Sequence, residues 1–126
     1  MTELNQPLDD QLREIKRRLR AAMNGILSGT MRKNGVDYRV NFGVDQPQLA
    51  EIATEIPHTY ELAAALWKED IRELRLLAIM TMPQSDFDEE LAMLWMEQLR
   101  YAEEAQVLVL HLLQYRPYAS SMAFRL

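Results

Sequence analysis

Acidic side chains are the residues of this sequence best suited to electrostatic chemistry. They cluster twice, in residues 86–90 and at Glu103 and Glu104. A positioned carboxylate can stabilise a positive charge that develops during a reaction. However, both clusters stand where we expect helices to begin, and acidic residues there also complement the positive end of the helix dipole. The clusters alone therefore assign no catalytic residue, and Glu103 and Glu104 stay as candidates.

Metal and nucleophile motifs are missing from the sequence. His58 and His111 are the only histidines, neither has a second ligand four residues later, and there is no cysteine. No zinc motif can be built from this set. The sequence also has no glycine-rich phosphate loop, and its serines lack the sharp-turn pattern of a hydrolase nucleophile. We predict no metal and no cofactor.

Basic residues are unevenly distributed along the chain. Residues 1–46 carry eight Lys and Arg against six Asp and Glu, and the remainder carries six against thirteen, so local charges of +2 and −7 give the overall −5. A basic segment can face nucleic acid, but a solvated helix face is the simpler interpretation in an acidic chain. The candidates for phosphate contacts are Arg32, Lys33, Arg39, Arg72 and Arg75.

Composition limits the class of protein. A chain of 126 residues with 48% hydrophobic residues can form one core. The absence of cysteine is typical of the reducing cytoplasm, and the N-terminus has no apolar region of a signal peptide. No apolar run approaches the roughly 20 residues that span a bilayer. We expect a cytoplasmic protein with no membrane contact.

Apolar spacing and helix-ending residues predict about six helices and no strand. We expect an N-terminal helix that starts after Pro7 and ends at Gly29, and further helices over about 47–56, 59–68, 71–82, 86–100 and 102–115. Residues 30–46 predict an ordered loop whose apolar side chains cover the edge of the core. The expected organisation is a single all-α domain over 1–126, with a helix (1–29), a structured loop (30–46), stacked helix pairs (47–115) and a tail (116–126).

An internal repeat indicates how these helices are arranged. Glu-Leu-Ala at residues 61–63 returns at residues 90–92, and Leu-Trp at residues 66–67 returns at residues 94–95, offsets of 29 and 28. The helices that follow match at an offset of 31. A period near thirty over two helices is typical of a HEAT-like helical repeat, an α-α superhelix in which stacked units share a core.

Aromatic residues at the repeated positions allow two interpretations. Trp67 and Trp95 could stack on nucleobases. Because they occupy equivalent places in the repeat, we interpret them as buried anchors of the packing between helix pairs.

Two segments carry a more specific pattern. Residues 41–53 read NFGVDQPQLAEIA, and residues 65–78 read ALWKEDIRELRLLA. They combine a glycine and aliphatic pair, a proline that starts a helix, and a Leu-Trp before a helix that opens with Arg and Glu. This pattern resembles the DNA alkylation-repair HEAT-like family, the AlkD-type DNA glycosylases, over roughly residues 30–115. The resemblance implies a curved stack whose concave face binds duplex DNA and excises positively charged alkylated purines.

The resemblance also implies a catalytic aspartate after a pair of tryptophans, which stabilises the developing cationic sugar. Where those residues would fall, this sequence has Arg100-Tyr101-Ala102-Glu103-Glu104. Tyr101 could replace an aromatic wall and either glutamate the carboxylate, but the extra methylene of glutamate displaces the charge. The chain also ends about where the second half of the family's fold would begin, so we expect a short stack with fewer phosphate contacts.

Three functions stay open at this point. The leading interpretation is a short, degenerate relative of the family that does not catalyse and works as a helical-repeat interaction module. The second is a DNA-binding or DNA alkylation-repair protein whose five basic candidates contact duplex DNA. The third is an active glycosylase that uses Glu103 or Glu104.

The last helix predicts an intermolecular contact. From Val107 to Leu113 every residue except His111 is apolar, so one neighbouring helix cannot cover the whole surface of helix 102–115. We therefore expect a homodimer or a protein partner to bind there.

Overall fold

Seven α-helices build the part of the chain that the structure, a computed structural model, describes, namely residues 7–113 and Pro117. Their bounds are α1 Leu8–Ala21, α2 Gly25–Lys33, α3 Gln46–Thr54, α4 Tyr60–Trp67, α5 Arg72–Thr81, α6 Glu89–Glu97 and α7 Ala102–His111. The β-structure within this part is an isolated bridge between Val40 and Ile71. The predicted all-α class is confirmed, and the packing is consistent with a helical-repeat fold.

The N-terminal segment corrects the predicted boundaries. We expected one helix to end at Gly29 and a loop to cover 30–46, but α1 ends at Ala21 and Gly29 lies inside α2. The side-chain oxygen of Asn24 accepts hydrogen bonds from the N–H groups of Ile26 and Leu27, at 3.0 and 3.1 Å. Asparagine is favoured at this position because it satisfies N–H groups that have no partner within the helix. Asn24 therefore starts a new helix, and the described residues hold seven helices instead of about six.

The loop between α2 and α3, residues 34–45, packs apolar side chains against the core. Tyr38 and Val44 are buried, while Val40 and Phe42 pack partly buried against the core. Gly43 has φ +71°, and a Cβ atom added there would lie 2.1 Å from the carbonyl oxygen of Asn24. Only glycine allows this close approach.

The central element of the fold is α5, which packs against α3, α4 and α7, while α1 packs against α4. Every residue of α5 from Arg72 to Ile79 is buried. Among them are the charged side chains of Arg72, Glu73 and Arg75. Since a buried charge is stable only with a partner, the start of α5 must find its counter-charges inside the protein.

The C-terminal helices follow the prediction with changed ends. The helix predicted to begin at about residue 86 begins at Glu89, where Asp88 caps α6 by accepting a hydrogen bond from the N–H of Leu91 at 2.8 Å. The described part of α7 ends at His111. The predicted end of this helix at Tyr115 and the predicted tail fall outside the described residues, apart from Pro117. Among residues 7–113, no helix has both the length and the apolar composition needed to cross a membrane.

Candidate functional site

The guanidinium of Arg72 joins the start of α5 to the start of α7. Its Nε and Nη2 atoms bind the two carboxylate oxygens of Glu103, each at 2.8 Å. Its Nη1 atom binds the carboxylate of Glu73 and the carbonyl oxygen of Val44, each at 2.7 Å. A two-bond arginine–carboxylate pair fixes both distance and orientation. Arg72 therefore connects two helices and the loop before α3.

The two glutamates bound to Arg72 differ in their other partners. Glu73 is buried and also accepts hydrogen bonds from the backbone N–H groups of Phe42 at 3.0 Å and Val44 at 3.2 Å. The side chain of Glu103 is 26% exposed and accepts a further hydrogen bond from Gln46 at 3.0 Å. Glu73 therefore holds the loop before α3 in place, whereas Glu103 lies at the edge of the protein.

The charges of this group stabilise one another. Burial raises the pKa of the Glu103 carboxyl, but hydrogen bonds from Arg72 and Gln46 and the positive charge of Arg72 outweigh it, so the pKa lies below its usual value. Burial lowers the pKa of the Arg72 guanidinium, but the carboxylates of Glu103 and Glu73 outweigh it, so that pKa is raised. Both groups therefore stay ionised at neutral pH.

One turn further along α5, Arg75 forms a second buried pair. Its Nε and Nη2 atoms bind the carboxylate of Glu104 at 3.2 and 2.9 Å. The same guanidinium donates to the carbonyl oxygens of Trp67 at 3.2 Å and Gln98 at 2.7 Å. Glu104 in turn accepts hydrogen bonds from the Tyr38 hydroxyl and from the backbone N–H of Arg100. Glu104 is thus fully buried and fully engaged.

A column of aromatic rings continues from Arg75 into the core. The guanidinium carbon of Arg75 lies 3.7 Å from the centre of the Trp67 ring, and Trp67 stacks on Trp95 at 4.3 Å with 7° between the ring planes. Phe87 meets Trp95 edge-on at 5.5 Å. Trp67 is 4% exposed and Trp95 is 3% exposed. The predicted burial of both tryptophans is confirmed, and in this structure neither ring face is open to a nucleobase.

Tyr101, the predicted aromatic wall, lies at the rim of the same region. Its hydroxyl accepts a hydrogen bond from the N–H of Asp37 at 2.9 Å, and its ring packs 4.8 Å from that of Tyr38. The guanidinium of Arg100 lies over both rings and pairs with Asp70. Tyr101 therefore ties the α2–α3 loop to the start of α7.

The five predicted phosphate-binding residues fall into two groups. Arg32, Lys33 and Arg39 are exposed, on the end of α2 and in the loop after it. Arg72 and Arg75 are buried in ion pairs. The expected surface position of these two is corrected, because α5 is covered on all sides and its arginines serve the glutamates of α7.

The chemistry available to this cluster is limited by its internal pairing. Both candidate carboxylates are bound to arginines, and within the described part of the chain no three His, Cys, Asp or Glu side chains are grouped to hold a metal ion. Sequence reasoning missed Tyr38 and Glu73 as members of the cluster. The repeat offset of 31 could have found Glu73, because it relates this residue to Glu104.

Comparison with known proteins adds a family. A family model described as DNA alkylation repair enzyme matches residues 15–107, which is more than half of the chain. No curated protein and no solved structure gives a significant match. The match agrees with the resemblance of residues 41–53 and 65–78. The chain belongs to the DNA alkylation repair enzyme family.

Proposed function

We propose that this member of the DNA alkylation repair enzyme family is a non-catalytic helical-repeat module that binds another protein surface. One observation carries the proposal. Glu103 and Glu104, the only carboxylates in the segment where the resemblance puts the catalytic one, are both held by buried arginines.

Pairing with arginine makes these two carboxylates unsuitable for catalysis. Stabilising a cationic sugar requires a negative charge that is directed at the substrate and not already neutralised. Glu104 is fully buried beneath Tyr38 and Arg75, so a DNA sugar cannot reach it. Glu103 is partly exposed, but both of its oxygens are bound to Arg72. Each glutamate instead stabilises the contact between α5 and α7.

The outer face of α7 supports a binding role. Val107 and Leu108 face the core, whereas Val109 and Leu110 are 46% and 58% exposed. Together with Ala105 and Gln106, these two exposed residues line a shallow concavity of about 440 Å³. We favour a homodimer at this face, because an apolar patch is complementary to its own copy across a two-fold axis.

The dimer is tested by sedimentation velocity of the full chain over a range of concentrations. Leu110→Ser should weaken association by about tenfold, since it removes a large apolar side chain from the contact. Ile26→Ser is the control, because Ile26 is exposed on α2 and does not line the concavity on α7. A protein that stays monomeric at every concentration would exclude the homodimer and leave a different protein as the partner.

The non-catalytic part of the proposal is tested by incubating the protein with alkylated duplex DNA. We expect no release of methylated purines above the rate without protein. Excision that disappears in Glu103→Gln or Glu104→Gln, while circular dichroism shows an intact fold, would instead identify an active glycosylase.

Binding to duplex DNA is the second candidate function, favoured by the exposure of Arg32, Lys33 and Arg39 on one continuous segment. If these residues bind phosphates, affinity should fall steeply with salt, and replacing all three by alanine should reduce the salt slope by roughly one per lost contact. Arg13→Ala is the control, because Arg13 is exposed on α1 and paired with Asp10. Under the leading proposal, the triple variant and the control bind DNA equally weakly.

A further inference from the structure

A second surface shares no lining residue with the concavity on α7 and includes neither Arg72 nor Arg75. It is a groove of about 520 Å³ between the outer side of α6 and the first residue of α4. Besides Leu91, its apolar lining consists of Tyr60, Met93 and Leu94, which we call the floor. These side chains are 44%, 39% and 48% exposed, so they present a connected apolar surface to solvent.

The helical spacing of α6 produces this surface. Glu90, Met93, Leu94 and Glu97 follow one another at intervals of three, one and three residues, which puts all four on one side of the helix. The two apolar residues therefore lie between two carboxylates, about 10 Å apart along the axis at 1.5 Å per residue. Methionine adapts its shape to different partners, so Met93 suits a surface that receives another chain.

The rim of the groove carries charge of one sign. Asp86, Asp88, Glu90 and Glu97 all line it, and no Lys or Arg is among the described residues that do so. Asp88 is engaged as the cap of α6, whereas Asp86, Glu90 and Glu97 are exposed. An apolar floor inside an acidic rim is complementary to a partner that combines apolar and basic side chains.

We propose that this groove binds a cationic amphipathic helix of another protein. Apolar side chains of the partner pack on Tyr60, Met93 and Leu94, in the manner of a helix bound in a groove. Lys or Arg residues seven positions apart on the partner pair with Glu90 and Glu97. The charge excludes nucleic acid as the occupant, and a symmetric second copy would bring two acidic rims together at an electrostatic cost.

This inference concerns a different surface from the α7 homodimer and does not depend on it. The two are distinguished by their own variants, Leu94→Ser in the groove and Leu110→Ser on α7. Each variant replaces a leucine with serine, and the two leucines are similarly exposed, at 48% for Leu94 and 58% for Leu110. Because Leu110 belongs to the proposed dimer contact, the control for Leu94→Ser in the experiment below is Ile26→Ser, an exposed residue that lines neither surface.

The experiment measures the fluorescence anisotropy of a labelled helical peptide made of leucine and lysine, with leucines on one side, titrated with the full chain. Leu94→Ser should weaken binding by about tenfold because the apolar floor is lost, and Ile26→Ser should leave it unchanged. Glu90→Lys should also weaken binding by about tenfold at low salt, with a smaller effect at high salt. Glu51→Lys, an exposed charge reversal on α3, should have little effect.

Three results would overturn the proposal. Equal binding by Leu94→Ser and the unmodified chain would show attraction by net charge alone. Equal binding of the same peptide with serine in place of leucine would show that the apolar floor is not used. Self-association of the chain that is lost in Leu94→Ser and kept in Leu110→Ser would identify a second copy as the occupant.

Discussion

The helix pairs α4–α5 and α6–α7 repeat the same positions with different contacts. Trp67 and Trp95 occupy equivalent positions and stack on each other. The first helix of each pair therefore contributes its tryptophan to the same packing contact. Glu73 and Glu104, at an offset of 31, are both buried near the start of the second helix. Their partners are different.

Glu73 binds the loop that precedes α3, whereas Glu104 joins one helix pair to the other. Glu73 accepts two backbone N–H groups from the loop before α3, and its arginine, Arg72, is its neighbour in sequence. Glu104 accepts two hydrogen bonds from Arg75, which belongs to the preceding helix pair. A repeated carboxylate can therefore be kept for structure while its partners change between units.

The net charge also differs between the first group, Arg72 with Glu73 and Glu103, and the second group, Arg75 with Glu104. Arg72 is shared between Glu73 and Glu103, which leaves one excess negative charge near the surface. Arg75 and Glu104 form a neutral pair in the core. Removing a charge should therefore be more harmful in the second group, because Glu104 is the one carboxylate bound to Arg75 among residues 7–113.

The largest effect is expected from the stacked tryptophans. Trp67→Ala should reduce the free energy of unfolding by about 5 kcal/mol, because it removes a buried ring together with the contact to Arg75 and the hydrogen bond to Gln98. Trp95→Ala should cost about 3 to 4 kcal/mol, since its ring contacts are Trp67 and Phe87.

Urea denaturation followed by far-UV circular dichroism measures both values. Trp67→Phe is the control, because it keeps an aromatic ring and loses only the hydrogen bond and some area. A loss below about 1 kcal/mol at both positions would be too small for buried core residues and would return base stacking to consideration.

The next effect distinguishes the two glutamates. Glu104→Gln should cost about 3 kcal/mol, because the acceptors left to Arg75, namely the carbonyl oxygens of Trp67 and Gln98 and the new amide oxygen, would all be neutral. Glu73→Gln should cost about 1 to 2 kcal/mol, because one loop N–H, of Phe42 or Val44, would lose its acceptor while Arg72 would keep its two bonds to Glu103. The measurement is the urea midpoint at neutral pH.

Replacing Arg75 and Glu104 together tests whether the loss in Glu104→Gln comes from leaving the charge of Arg75 unpaired. Arg75→Met combined with Glu104→Leu should recover part of the loss, since a buried ion pair can be exchanged for apolar residues at little cost. If Glu73→Gln proved the more harmful single variant, the assignment of Glu104 as the contact between units would be wrong.

Helix positions and the packing of the tryptophans could be predicted because they depend on local or repeated signals. Pro47 within the first turn marks α3, and the recurring Leu-Trp marks two equivalent buried positions. The break at Asn24 was missed, because the apolar spacing continues through it to Ile26. The preference of asparagine for the position before a helix was the local signal for a new helix there.

The partners of the charged residues could not be predicted from the sequence. Arg72 and Arg75 lie beside Leu74 and Leu77 in what reads as an amphipathic helix, so their pattern is typical of a solvent-exposed side. They are buried because α7 and the loop around Tyr38 cover that side, a tertiary arrangement that brings together residues about thirty positions apart. For the same reason, Glu103 and Glu104 looked available for chemistry.

The smallest expected effect is the pH dependence of Glu103, the exposed member of the charged cluster. Its pKa is lower in the folded protein than in the unfolded chain, because the interactions with Arg72 and Gln46 outweigh burial. A lowered folded pKa means that its contribution to stability is fully present above the unfolded pKa of about 4.3 and is lost as the pH falls through the folded value. Because the pair is partly exposed, we expect Glu103→Gln to cost only about 1 kcal/mol at neutral pH.

The difference in stability between the unmodified chain and Glu103→Gln should therefore shrink as the pH is lowered from about 6 to about 3. Urea denaturation at each pH gives this difference, and Glu51→Gln, exposed on α3, supplies the control for removing a surface carboxylate. Below the folded pKa both chains carry a neutral group at position 103 and should approach equal stability. A difference that stayed constant over this range would mean that the ionised carboxylate of Glu103 adds nothing to the pair. The bonds to Glu73 and Val44 would then be sufficient to hold Arg72 in place.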